Sequence, residues 1–226
     1  MTSIFRSVMG ADFERLHPRL QHRFSVGTAS GQVCTGRGVM DRVWHGRSLV
    51  KPFLALGGTR NILVPRQGRD VPFVIENVPY TDSFGRETVS FVRTFHFPGR
   101  ERRFDAQMVL SPKGDRVLDY LGTHQHLASE LHFRAEPDGS LLIRSGEHRF
   151  REGPVDVRVP ELLGAEAEVR ESFDESTGRF RIRVRVVNRY LGPLFGYEGQ
   201  FTVTYADVGV CGVRPGLRPV REEARA

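Results

Sequence analysis

The sequence predicts a mainly β fold (α+β in detail), an antiparallel, barrel-like curved sheet preceded by N-terminal helices. Three observations carry this. Residues 179–186 read Arg-Phe-Arg-Ile-Arg-Val-Arg-Val, so four arginines take one face and four apolar side chains the other, the period-two signature of a half-buried strand. From about Val71 to Tyr205, short alternating segments follow one another and each ends in a turn-forming cluster, as in a barrel or strongly bent sheet. Residues 3–24 instead set Phe5, Val8, Met9, Phe13, Leu16, Leu20 and Phe24 near helical spacing, with breaks at Gly10 and Pro18.

After these helices comes a glycine-punctuated stretch, 27–38. Gly31, Gly36 and Gly38 are followed by no Lys-Ser or Lys-Thr pair, so a bent strand or hairpin is expected there, not a phosphate loop. Residues 39–56 predict a second helical segment containing Trp44 and His45, interrupted at Gly46 and Pro52 and ended by Gly57-Gly58. Ile62-Leu63-Val64 reads as a short strand. The β region starts at 71–78, with Pro72 marking a strand start or edge. A turn at Asp82–Gly85 leads into 87–97, which puts Val89, Phe91, Arg93, Phe95 and Phe97 on one face. Pro98-Gly99 closes that strand. Strands at 104–110 and 116–121 follow, then a hairpin of 131–135 with 140–144 across Pro137-Asp138-Gly139. Segments 147–151 and 155–159 continue the meander. Segment 165–173 pairs with 179–187, and 197–205 is the last strand. Phe91, Phe95, Phe180, Ile182, Val184, Phe201 and Val203 are the expected core-facing residues. One domain spans 1–212, and 213–226, rich in Arg, Pro and Glu, reads as a disordered tail.

A chain of 226 residues suits one large β-rich domain, and 39% hydrophobic residues argue against disorder. No apolar run reaches 18 residues, so no membrane-spanning helix is predicted. The N-terminus lacks a signal pattern, which makes a cytoplasmic location the expectation. Two cysteines, Cys34 and Cys211, exclude a disulfide scaffold and a cysteine-built zinc site, and are expected as small apolar side chains. The net charge is +6, and 31 of the 33 basic residues are arginine. They are spread along the chain without a focused patch, so nucleic-acid binding is not expected and the arginine face of 179–186 reads as a solvated outer face.

Among residues that could carry chemistry, Arg93 stands out, because it sits on an apolar strand face between Phe91 and Phe95. A guanidinium there needs a carboxylate, carbonyls or an anionic ligand. Its fork suits two-point contact with a carboxylate or phosphate. Structural pairing with Glu76 or Glu198 is the competing expectation. Tyr190 and Tyr197 flank a Leu-Gly-Pro-Leu-Phe-Gly loop and either rim a cavity or pack a barrel end. His124, His126, Glu130 and His132 form a His-x-His-x3-Glu pattern similar to the first metal motif of cupins. The flanking glycines and a second motif are missing, so a polar loop is the expectation and no metal is assigned. No Gly-x-Ser-x-Gly elbow occurs. The pair Glu166/Glu168 shares a strand face that reads as solvent-facing.

Phe13-Glu-Arg-Leu-His-Pro18, Phe91-Val-Arg-Thr-Phe95, Val159-Pro-Glu-Leu-Leu163, Gly178-Arg-Phe180 and Pro193-Leu-Phe-Gly-Tyr-Glu-Gly199 occur in this order. They are similar to the bacterial domain of unknown function 4166 family over roughly residues 4–205. Phe91 stands where the family usually has tryptophan. Arg93, Tyr197 and Gly199 match its pattern. The resemblance implies no catalytic residue. Fusion of relatives to short-chain or saccharopine-dehydrogenase-like domains implies an oxidoreductase-like partner protein. The combined reading is a barrel that binds a small, partly apolar, acidic molecule through Arg93, Phe91, Phe95, Tyr190 and Tyr197, without a cofactor. One alternative is an enzyme, either metal-dependent through the histidine cluster or cofactor-free through acid–base groups of the barrel interior. A structural interaction module is the other.

Overall fold

In the computed structural model, residues 3–46, 57–208, 214 and 216–226 are described. Eleven strands are present among them: β1 Gln32–His45, β2 Gly68–Thr81, β3 Glu87–Phe97, β4 Arg100–Leu110, β5 Val117–Leu121, β6 Leu127–Ala135, β7 Leu141–Glu152, β8 Val155–Arg158, β9 Glu166–Asp174, β10 Arg179–Asn188 and β11 Gly192–Asp207. Every pairing is antiparallel, as short turns between consecutive strands require. β1 to β7 follow in sequence. β7 then pairs with β9, β9 with β10, β10 with β11, and β11 returns to β1. The result is a closed ten-strand barrel with β8 attached to β7 alone.

The alternating segments pack as their patterns predict. Phe91, Phe95, Phe180, Ile182, Val184 and Phe201 are buried, and Val203 packs partly buried against them. The arginines of β10 stand outside, where Arg181 pairs with Asp174 and Arg183 with Glu198, each at 3.0 Å.

Two short helices close one barrel end. α1, Ile4–Met9, starts at Ser3, whose Oγ accepts the Phe5 N–H at 3.3 Å, which satisfies a donor that would otherwise lack a partner. Gly10, at φ +53°, ends it in a conformation that favours glycine. α2, Pro18–Phe24, begins with proline at its first turn, where the missing N–H costs nothing. Phe5 seats edge-on against Phe133 and Phe91, with ring centroids 5.5 and 6.1 Å apart. The His17 N–H donates to the Gly139 carbonyl at 2.9 Å, tying the helices to the β6–β7 turn.

Three segments depart from expectation. Residues 39–45 are not helical but continue β1; residues 47–56 and Cys211 lie outside the described residues. The β1–β11 register slips between Val39 and Arg42, so Met40 and Asp41 face Gly199 alone. That bulge converts the inward spacing from two residues to three, from Met40 to Val43, and three-residue spacing reads as helix. Residues 62–64 form no strand. Leu63 and Val64 are buried because segment 57–64 lies across the second barrel end. There the Asn61 and Arg60 carbonyls accept N–H groups of Asp105 at 2.9 Å and Thr123 at 3.0 Å.

The C-terminal residues, expected to be disordered, lie along the outer face of β5. The carbonyls of Glu223 and Ala224 accept from the Arg86 guanidinium at 2.6 and 2.9 Å. That of Arg225 accepts from Arg151 at 2.9 Å and from the Tyr120 hydroxyl. Glu223 is buried, with Arg221 and Arg225 on its carboxylate at 2.6 and 2.7 Å. A polar composition signalled disorder, but these arginines find fixed acceptors on the strand face and on one another's flanks.

The bulge makes Gly199 sensitive to any side chain. A Cβ there would collide with the Val39 carbonyl oxygen and lie 2.5 Å from the Met40 Cα. Both are backbone and cannot swing away. Gly199→Ala is expected to destabilise by about 1–3 kcal/mol, lowering the melting temperature by roughly 2–12 °C for a chain of this size. An unchanged melt would show that the strands separate freely at the bulge.

Candidate functional site

The barrel interior is not filled. A cavity of about 690 Å³ runs from Phe24 and Glu171, near the helix-covered end, to Gly57 and Leu63 at the other. Its wall is mainly apolar, with Ile75, Phe104, Met108, Ile143, Ile182 and Val184 among the side chains. Its polar lining includes Arg93 of β3, Asp119 of β5, Ser129 of β6 and His148 of β7, besides Ser145 and Glu152 of β7 and Glu171 of β9. Arg93, Asp119 and Ser129 are inward by the alternation of their strands, and His148 is brought inward by a bulge in β7.

Arg93 is 6% exposed. Its guanidinium carbon lies 4.8 Å from the Phe104 ring centroid and 5.5 Å from that of Phe91, a cation–π arrangement. Its Nε and Nη1 have no hydrogen-bond partner. Glu76 and Glu198, the expected partners, answer Arg214 and Arg183 instead. Asp119 and Asp105 lie within reach of its electrostatic field, Asp105 is paired with Arg103 instead, and neither forms an ion pair with Arg93 within 4.0 Å among the described residues.

Asp119, Ser129 and His148 form a lateral row. Asp119 stands opposite Ser129 across β5 and β6, and Ser129 opposite His148 across β6 and β7. Directly opposed side chains in antiparallel strands have Cβ atoms about 4.5–5.5 Å apart, so the three are neighbours on one wall. Burial pushes the Asp119 carboxyl up to about 7, although the Arg93 charge pulls it down. Burial lowers the His148 imidazole to about 4, leaving it neutral. The Asp119 Oδ1 has no partner. This row is the part of the site that sequence reasoning missed. Asp119 alternates with Val117 and Leu121 on β5, which was a readable signal. Ser129 alternates with Leu127 and Leu131, a weaker signal in a stretch that reads as a polar loop; His148 gave none, because an extra residue in β7 between Ser145 and His148 breaks the alternation there.

A second buried charge sits at the helix end. Arg23 of α2 is 2% exposed and pairs through Nε with Glu171 of β9. Its Nη1 donates to Asn77 Oδ1 at 2.8 Å and to the Cys34 sulfur at 3.3 Å. Burial works against the charge, but Glu171 and Cys34 more than offset it, so the guanidinium holds its proton more tightly than usual. Glu171 alternates with Ala167, Val169 and Phe173, a period-two signal that was available in the sequence and was not used.

The structure separates the other expected site residues. Phe91 lines the cavity beside Arg93. Phe95 and Tyr197 are fully buried away from it, in an aromatic cluster with ring centroids 5.1 Å apart. Burial raises the Tyr197 hydroxyl to about 12. Tyr190 is 61% exposed, in the β10–β11 turn that Asn188 holds against the carbonyls of Glu161, Leu162 and Gly164, so it takes no part in the cavity. His124 and His126 stack at 5.7 Å, and His126 Nδ1 meets Glu152 at 2.5 Å on the cavity rim. Glu130 and His132 take the outer side of β6, since Ser129 and Leu131 take the inner. The His-x-His-x3-Glu set is thus split between two faces. Among the described residues no three His, Cys, Asp or Glu gather as metal ligands.

The cavity continues towards the seam between β7 and β9. These strands pair only from Leu141 to Arg144. Beyond Arg144 they diverge, and a second cavity of about 350 Å³ occupies the gap. It shares Ser145, His148, Val159, Gly164 and Ala165 with the first. Among the described residues no helix is long and apolar enough to cross a membrane.

A family model described as "Domain of unknown function (DUF4166)" matches residues 16–201. The uncharacterized protein YndH of Bacillus subtilis (strain 168) is 35% identical over 201 residues, covering 89% of this chain and 97% of that protein. No solved structure matches. On the extent of both alignments, the chain belongs to the domain of unknown function 4166 family.

Proposed function

We propose that the barrel binds a small amphipathic acid, with the apolar part of the ligand along the cavity wall and its anionic group on Arg93. The observation that carries this reading is a buried guanidinium on the wall of a mostly apolar cavity of about 690 Å³, with two nitrogens, Nε and Nη1, that have no hydrogen-bond partner in the protein. Buried polar groups in folded proteins are nearly always hydrogen-bonded, so an exception on a cavity wall points to a ligand. The volume falls in the range of small-molecule sites, about 300–1,000 Å³. The resemblance to fused relatives extends the reading to a cytoplasmic barrel that holds its ligand for an oxidoreductase-like partner.

Arg93→Met tests it, because methionine keeps most of the apolar stem and removes the charge. Decanoate, titrated by calorimetry, is expected to bind the parent protein and to bind the variant about 10- to 100-fold more weakly, the worth of a hydrogen bond to a charged group. The variant should melt at or above the parent temperature, since no protein group loses a hydrogen bond. Equal decanoate affinity in both proteins would refute the assignment, and so would a variant that unfolds for want of its arginine.

A further inference from the structure

We propose that the Asp119–Ser129–His148 row is a second polar subsite, which recognises a hydroxyl group on the apolar body of the same ligand. The ligand class is then a hydroxylated amphipathic acid. This inference rests on the reading of Arg93 as the site of the acidic group.

The placement carries it. All three side chains line the cavity, from three successive strands. None of these side chains hydrogen-bonds to another described residue of the protein, and the Asp119 Oδ1 is buried without a partner. The neighbouring inward polar groups differ. Ser145 accepts the Ala167 N–H at 2.8 Å, Glu171 holds Arg23, and Glu152 holds His126 at 2.5 Å. Among the described inward residues of the strands, the row is thus a part of the wall, with Arg93, whose hydrogen-bonding capacity the fold does not use.

The chemistry of the row matches a hydroxyl. A serine hydroxyl both donates and accepts, and a neutral imidazole offers one donor and one acceptor. The carboxyl group is an acceptor when ionised and gains a donor when protonated. A hydroxyl can donate to one member and accept from another. A purely apolar ligand would leave all three unsatisfied, which costs binding free energy. Arg93 and Asp119 make no ion pair, so the two anchoring points are separate, and a ligand must reach both.

Calorimetry with decanoate and with hydroxydecanoic acids carrying the hydroxyl at successive carbons tests the subsite. One positional isomer is expected to bind about 10-fold tighter than decanoate or better, the worth of a buried hydroxyl that gains its partners. In Asp119→Leu and in Ser129→Ala that ratio should fall to about one. The idea is overturned if every isomer binds more weakly than decanoate, if the ratio survives both substitutions, or if an aminodecanoic acid outcompetes all the hydroxy acids. Decanoate binding with no hydroxyl preference removes the subsite and leaves the Arg93 reading standing. No binding of decanoate or of any hydroxy acid removes both.

Discussion

Arg23→Met is expected to destabilise the fold by about 3–5 kcal/mol, the cost of leaving a buried partner charge alone. Glu171, 3% exposed and inside the barrel wall, would keep its carboxylate without the guanidinium that now answers it. Asn77 would lose its donor and Cys34 its contact. The rings of Phe24, Phe180 and Phe201, whose centroids lie 5.0 to 5.8 Å from the guanidinium carbon, would lose the cation they share. Replacing both partners, as Arg23→Met with Glu171→Leu, should recover most of the loss, because an apolar pair leaves no charge to solvate. Urea denaturation of the two single variants and the double variant measures the coupling. Additive effects would show that the pair does not act as a unit.

Asp119→Asn is expected to change the pH dependence of stability more than any other single substitution in the cavity. The folded carboxyl titrates at about 7 and the ordinary value is 3.8. Between those values the folded chain holds a proton that the unfolded chain has released, so this group makes stability fall as pH rises. The rise corresponds to roughly 4 kcal/mol, lost between about pH 4 and pH 7. His148 acts in the opposite direction. Its folded value of about 4 lies below the ordinary 6.5, so its share of stability is present above about pH 6.5 and is lost as pH falls towards 4. Subtracting the variant's profile from the parent's isolates Asp119. In urea unfolding from pH 4 to pH 8, the variant should gain on the parent as pH rises. Parallel profiles would mean that the carboxyl is not held in the apolar wall.

Strand patterning was legible in the sequence because side-chain period is set locally. The alternation in β3 and β10 assigned Phe91, Arg93, Phe180 and Ile182 to inward faces, and their burial agrees. Barrel closure was legible only as a tendency, since the β1–β11 contact joins residues some 170 positions apart. Where a bulge breaks the period, the reading failed, as at Met40 and Val43. Arg93 was found because a charge on an apolar face is itself a signal. Its lack of a protein partner could not be read, because Glu76 and Glu198 were plausible partners until the fold engaged them elsewhere. The polar row was hidden for a different reason. Its three members come from three strands, and only the register of β5, β6 and β7 brings them side by side.

β8 pairs with β7 and with no other strand among those described. Closing a barrel removes the open backbone edges that let sheets from separate molecules join, and β8 restores one such edge. Its length is four residues, with Val155 and Val157 43% and 51% exposed. Pro154 and Pro160 flank it, and neither can extend a hydrogen-bonded ladder. Asp156 is held by Arg149 at 2.7 Å, and Arg158 by Glu147 at 2.6 Å, which places charge along the same strand. The edge that β8 exposes is thereby kept too short to template a growing sheet. Two prolines and four charges thus guard the edge that β8 adds to the closed barrel.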